Sequence, residues 1–113
     1  MFVAHAGLLP VNWRGDSRTR VRAFPRAARV LAGDELFRLQ LGLEPKHWRA
    51  LASVAPGVRE IRICTQGEFR IIYLLESHEE VIVLHAFAKK TQQTARRDIE
   101  VARQRVRDLR QRG

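Results

Sequence analysis

Val58–Thr91 limits what this chain can fold into more than any other stretch. It reads Val58-Arg-Glu-Ile-Arg-Ile-Cys64, then Phe69-Arg-Ile-Ile-Tyr73, then Val81-Ile-Val-Leu-His-Ala-Phe87, and ends on Lys89-Lys90-Thr91. Short polar breaks separate the runs: Thr65-Gln66-Gly67 is hairpin-like, and Pro56-Gly57 opens the first strand with turn chemistry. Strand alternation sends Arg59, Ile61 and Ile63 one way and Glu60 and Arg62 the other. Phe69, Ile71 and Tyr73 share a side, with Arg70 and Ile72 opposite. Val81–Phe87 is apolar on both faces, as a central strand should be. The pattern predicts an antiparallel meander with cations on one face, a platform suited to a polyanion such as RNA.

The flanking segments predict helices. Leu8–Trp13 is apolar enough for a first strand, with Pro10 favouring an edge or irregular start. Asp16 or Ser17 is placed to cap a short helix through Phe24. Pro25 suits the first turn of a second helix, Arg26–Leu41, and Gly42 suits its stop. Ala27, Val30, Leu31, Phe37 and Leu41 form its expected apolar face. Pro45–Ala52 reads as a turn of helix or irregular, with Trp48 and Leu51 anchored in the core. Thr94 is expected to cap a last helix whose apolar seam is Ala95, Ile99, Ala102, Val106 and Leu109. Glu100–Arg103 and Asp108–Arg112 are spaced to pair on its wet face. The expected fold is α+β: strand, helix, helix, three-stranded antiparallel meander, C-terminal helix.

Composition narrows the partners. The chain has 113 residues, 21 Lys+Arg against 12 Asp+Glu, and a formal net charge of +9. That length fits one domain, residues 1–113, with residues 1–15 as an atypical extension and first strand. The positive excess favours phosphate-rich partners. Nearly all of it is arginine, which a GC-rich coding background would also produce. Cys64 is the single cysteine, so no internal disulfide forms, and its place at a strand end suggests a buried, inert thiol. The start, Met1–Pro10, lacks the basic leader and long apolar run of a signal peptide. No segment reaches the ~18 apolar residues of a spanning helix. A soluble protein in a reducing cytoplasm is expected.

Several chemistries leave no trace in the sequence. His5, His47, His78, His85 and Cys64 lack metal-ligand spacing, so neither metal nor cofactor is expected. There is no phosphate-binding Gly-rich loop and no nucleophile elbow. What remains is a basic constellation: Arg62, Arg70, Lys89 and Lys90, with Arg59, Glu60, Tyr73 and His85 close by in the strands. Arginine supplies bidentate phosphate contacts but is too weak an acid to serve as a base. Lysine can change role when neighbouring cations lower its pKa. Glu60 either orients an arginine, pairing across the strand with Arg70, or accepts a proton. Tyr73 shares its parity with core residues, and His85 sits in an apolar strand, so each also reads as a core side chain.

These segments, Gly57-Val-Arg-Glu-Ile-Arg62, Phe69-Arg-Ile-Ile-Tyr73 and Val83-Leu-His-Ala-Phe-Ala-Lys-Lys-Thr-Gln92, resemble the RelE/HigB superfamily of bacterial toxins. The nearest branch is the phage-derived HigB-like group of type II toxin–antitoxin systems, and the likeness covers about Asp16–Leu109. The Lys-Lys-Thr segment before a charged helix is its most specific part. The resemblance implies a compact RelE-like domain, ribosome-dependent cleavage of translated mRNA, and neutralisation by a helix-turn-helix antitoxin encoded next door. It implies phosphate-site roles for Arg62, Arg70 and Lys90. With Glu60 from the strand reading these are the expected catalytic residues, and Arg59, Tyr73, His85 and Lys89, near them in the sequence, are expected to contact RNA. Arg62 and Arg70 match strand arginines that contact the RNA phosphate, and Lys90 matches the basic position after the last strand. Glu60 stands where the RelE-type pattern has lysine, and nothing aromatic follows Phe87. Two other functions fit the same fold. One is a ParE-like toxin that poisons a topoisomerase; the other is a non-catalytic RNA- or ribosome-binding module.

Overall fold

The expected meander forms, with a strand added at each edge. The computed structural model describes residues 7–76, 79–90 and 93–111. In chain order its elements are β1 (Val11–Trp13), α1 (Ser17–Arg22), α2 (Arg26–Gln40), β2 (Trp48–Ala50), β3 (Val58–Cys64), β4 (Glu68–Glu76), β5 (Glu80–Lys89) and α3 (Arg96–Gln111). They build one five-stranded sheet in the order β1-β5-β4-β3-β2. β3, β4 and β5 are antiparallel neighbours. β1 runs parallel to β5 along one edge, and β2 runs antiparallel to β3 along the other. The α+β class is as the sequence predicts; β2 is an addition. Trp48-Arg49-Ala50 is a short, exposed edge strand rather than helix or irregular chain.

Alternation along β3, β4 and β5 sorts the core into two layers. Ile61, Ile63, Phe69, Ile71, Tyr73, Val81 and Val83 pack with Val21 and Phe24 near α1 and with Ala28, Ala32, Leu36 and Leu39 of α2. Val58, Ile72, Leu74, Ile82, Leu84 and Phe87 pack on the other face against Ala102 and Val106 of α3. With both faces covered, β4 and β5 are nearly continuous in buried residues. The turn between β3 and β4 uses positive φ at Gln66 and Gly67, and the Thr65 N–H donates to the Gly67 carbonyl.

Several local expectations are corrected. The buried face of α2 is Ala28, Ala32, Leu36 and Leu39, whereas Ala27, Val30, Leu31, Phe37 and Leu41 face outward. α2 has apolar residues on two sides, so periodicity alone does not choose between them; the alanine-bearing side lets the helix approach the sheet closely. Pro25 stands at the N-cap of α2. Trp48 is partly exposed beneath the Arg59 guanidinium, 4.0 Å from its ring centroid, while Leu51 is buried as expected. Cys64 is exposed. Asp16 makes no capping hydrogen bond. Thr94 turns to the sheet, and the Ala95 carbonyl receives the first α3 amides instead. Glu100 and Arg103 pair; the expected Asp108–Arg112 pair lies outside the described residues, as do His5, His78 and Thr91.

A bulge in β5 gives α3 two polar anchors. Register steps from Ile72↔His85 to Tyr73↔Val83, leaving Leu84 as the extra residue. The Leu84 carbonyl accepts from Arg105 Nη1 at 2.8 Å, and Arg105 Nη2 reaches Asp16 at 2.9 Å. Gly15 makes room for this guanidinium: its φ is +53°, and a Cβ there would collide with Arg105. Hydrogen bonding to Arg20, with help from Arg105, pulls the Asp16 pKa down to about 2. His85 is buried, with Nε2 2.8 Å from Asp98 Oδ1 and its ring stacked on Phe87. A carboxylate only accepts, so Nε2 carries the proton. The buried Nδ1 has no partner. Protonating it would place an unpaired N–H in the core, and burial lowers the His85 pKa despite Asp98.

This anchor makes stability depend on pH. His85 titrates below its unfolded value near 6.5, so the unfolded chain binds the proton first. Its contribution is complete above about pH 6.5 and is lost as pH falls below that value, until the folded pKa is passed. Urea unfolding between pH 7.5 and 5 is therefore expected to show falling stability, and His85→Gln a flatter dependence. Asp16 does not titrate in that window. An equal slope in the variant would assign the pH dependence elsewhere.

Candidate active site

Past the part of the sheet that α3 covers, the same face turns from apolar to charged. Glu60 and Arg62 come from β3, Arg70 from β4 and Lys89 from the end of β5. Register sets Arg62 opposite Arg70, and Glu68 opposite Lys89. Arg49 on β2 lies across from Glu60. With Lys46, His47, Trp48 and Lys90 these side chains line an open cleft of about 770 Å³. Its lining holds six Lys or Arg residues and two Glu, so it carries a strong positive field.

A buried carboxylate organises the cleft. Glu60 is fully buried. Its Oε1 accepts from Arg70 Nη1 at 2.6 Å and from Arg49 Nε at 2.9 Å, and its Oε2 accepts from Thr94 Oγ1 at 2.7 Å. Arg49 Nη2 in turn donates to Thr94 Oγ1 at 3.2 Å. One carboxylate thus ties together β2, β3, β4 and the segment that leads into α3. Charges facing each other across a strand pair repel, as Arg62 and Arg70 do; Glu60 and Glu68 offset that repulsion. Arg70 Nη2 also pairs with Glu68, and Lys89 Nζ lies 3.6 Å from the same carboxylate. Arg70 holds the Glu68 carboxyl below its usual range, with Lys89 and Arg62 adding to the effect. Arg62, Lys90, Lys46 and His47 are exposed and present their charge or ring to anything entering the cleft.

A second carboxylate positions the approach to β2. Glu35, buried on α2, accepts the backbone N–H of Lys46 at 2.8 Å and of His47 at 3.4 Å. This sets both side chains at the cleft rim.

The structure separates the sequence-derived candidates into three places. Glu60, Arg62, Arg70, Lys89 and Lys90 gather in the cleft. Arg59 and Tyr73 stand on the opposite face. Arg59 pairs with Glu44 at 3.0 Å, and Tyr73 is fully buried. Burial raises the Tyr73 pKa against the pull of Arg59. His85 is sealed beneath α3. Direct RNA contact by Tyr73 or His85 is therefore corrected to a core role for each, and Arg59 is removed from the cleft. Strand parity already set Arg59 and Tyr73 apart from Glu60 and Arg62. Sequence reading missed Lys46, His47, Arg49, Glu68 and Thr94. Arg49 and Thr94 reach Glu60 only through tertiary packing, but Glu68 could have been found as the residue opening a strand two positions before Arg70.

The family model for the phage-derived protein Gp49-like family matches residues 19–107. No curated protein matches the sequence. Among solved structures, the chain resembles the E. coli toxin RelE, solved in the free state as a double arginine-to-alanine mutant. The TM-score is 0.60 at 13% identity, covering 90% of this chain and 98% of RelE. At that identity the likeness speaks for the fold. Among the described residues, no helix is long and apolar enough to cross a membrane. The match across residues 19–107, on a RelE-like fold, shows that the chain belongs to the Gp49-like family, a phage-derived family of RelE/HigB-type toxins.

Proposed function

We propose that this single-domain protein is the toxin of a type II toxin–antitoxin system, a metal-independent endoribonuclease that cuts translated mRNA on the ribosome in the cytoplasm. A helix-turn-helix antitoxin encoded beside it keeps it silent. The observation that carries this reading is the cleft: exposed cations arrayed around arginines held rigid by buried Glu60.

In the proposed reaction the RNA 2′-oxygen attacks the adjacent phosphorus and the bond to the 5′-oxygen breaks. A 2′,3′-cyclic phosphate and a 5′-hydroxyl result. The 2′-OH loses a proton and the leaving oxygen gains one. Arg62 and Lys90, with Lys46 at the rim, bind the phosphate and stabilise its growing charge. Arg70 backs them from the cleft floor. Glu60 already accepts three donors from its neighbours, so its role is to hold Arg49 and Arg70 in place. Proton transfer falls to Lys90 and His47, an exposed lysine and histidine that line the cleft. This acid–base set is sparse. Clamping of the message by the ribosome supplies what it lacks, since in-line positioning alone is worth several kcal/mol.

Single-turnover cleavage of one message is expected to be at least ~10³-fold faster in programmed ribosomes than on the naked RNA. Equal rates would mean that the chain carries a complete active site. Toxicity without cleavage in either setting would favour the topoisomerase-poison reading.

Substitutions in the cleft should separate charge used on RNA from charge used on the fold. Arg62→Ala is expected to lower cleavage by ~10²–10³ with little loss of stability, because the side chain is exposed. Arg70→Ala is expected to lower cleavage and also to cost about 3–5 kcal/mol, by leaving Glu60 buried without its close partner. The same assay paired with denaturant unfolding checks both. Arg62→Ala with full activity would remove it from the phosphate site.

A further inference from the structure

α2 shows a second apolar surface that the fold does not use. Phe37, Leu41 and Leu43 are 47%, 50% and 48% exposed, and Leu31 stands beside them. With Ile63 and Cys64 of β3 they line a groove of about 640 Å³. Leucines exposed together on a small basic domain mark a surface meant to be covered. The groove has Asp34 and Glu35 along one side, but Lys46, His47 and Arg62 line both this groove and the cationic cleft. The two are therefore one continuous surface, apolar at one end and positive at the other.

That combination selects an occupant. An RNA backbone has nothing to place against four large alkyl and aromatic side chains. A second copy of this chain would bring another +9 of net charge to a face that is already positive. A segment with apolar side chains on one side and carboxylates on the other satisfies both ends. We propose that an acidic amphipathic segment of the antitoxin docks here. Its apolar residues fill the Phe37/Leu41/Leu43 groove, and its carboxylates extend over Lys46 and Arg62 to close the cleft. The proposal rests on the toxin–antitoxin reading and gives the partner its place and its chemistry.

Cys64 makes the test direct, because it is the chain's single cysteine and lies exposed in the groove. The probe is the small protein encoded by the gene next to this chain's own, purified and added to the full chain. Maleimide labelling of Cys64 is expected to slow at least about 10-fold when that protein is bound, as for a site buried in an interface. Phe37→Glu and Leu43→Glu are expected to weaken binding by about 100-fold or more, whereas Val30→Glu, on α2 outside the groove, binds like wild type. Unchanged melting temperatures and retained mRNA cleavage would show that the groove variants are folded. Tight binding by wild type and both groove variants, with Cys64 still reactive, would overturn the groove while leaving the antitoxin reading intact. No binding by wild type would overturn both. Concentration-dependent protection of Cys64 in the free chain, relieved by Phe37→Glu, would replace the proposed partner with a second copy of this chain.

Discussion

Everything around the cleft depends on one carboxyl group buried inside the protein among its donors. Removing Glu60 from water costs several kcal/mol, and only close, well-directed donors repay it. Arg49, Arg70 and Thr94 are those donors, and each comes from a different part of the chain. The same contacts hold β2 against β3 and fix the segment that enters α3. They also let Arg62 and Arg70 face each other across adjacent strands without driving the sheet apart. Glu60 is thus the feature on which both the fold's open end and the cationic site converge.

The two faces of the sheet divide the work. One is sealed by α1 and α2 over a continuous apolar layer. The other is sealed only in part, because α3 covers the end nearest Val58, Leu74 and Ile82 and leaves the end bearing Glu60, Arg62, Arg70 and Lys89 open. The β5 bulge turns the Leu84 carbonyl and His85 toward α3, where Arg105 and Asp98 meet them. The position of α3, and with it the extent of the cleft, is therefore set by hydrogen bonds as well as by the Ala102 and Val106 seam.

The meander was legible because its alternation is strong and its breaks carry turn chemistry, and the strand-borne cluster of Glu60, Arg62, Arg70, Lys89 and Lys90 was legible with it. The role of α2 was not, since two apolar stripes compete for the core and only close packing through Ala28 and Ala32 decides between them. The stripe that lost is the exposed groove. β2 was invisible because three exposed residues make no pattern. Arg49 and Thr94 join the site through contacts 11 and 34 residues away from Glu60, which no local motif encodes. Arg59 and Tyr73 were grouped with the site by nearness in sequence, although parity already set them on the other face.

Glu60, on this reading, holds the arginines and does not move the proton. The pH–rate profile of single-turnover cleavage in programmed ribosomes, compared for wild type and Glu60→Gln, tests that role most directly. If Glu60 only positions Arg49 and Arg70, the variant is slower and less stable, but both limbs of its profile keep the wild-type apparent pKa values. If Glu60 is the base, the variant loses the acidic limb of the profile, and the claim that Glu60 only positions the arginines is contradicted.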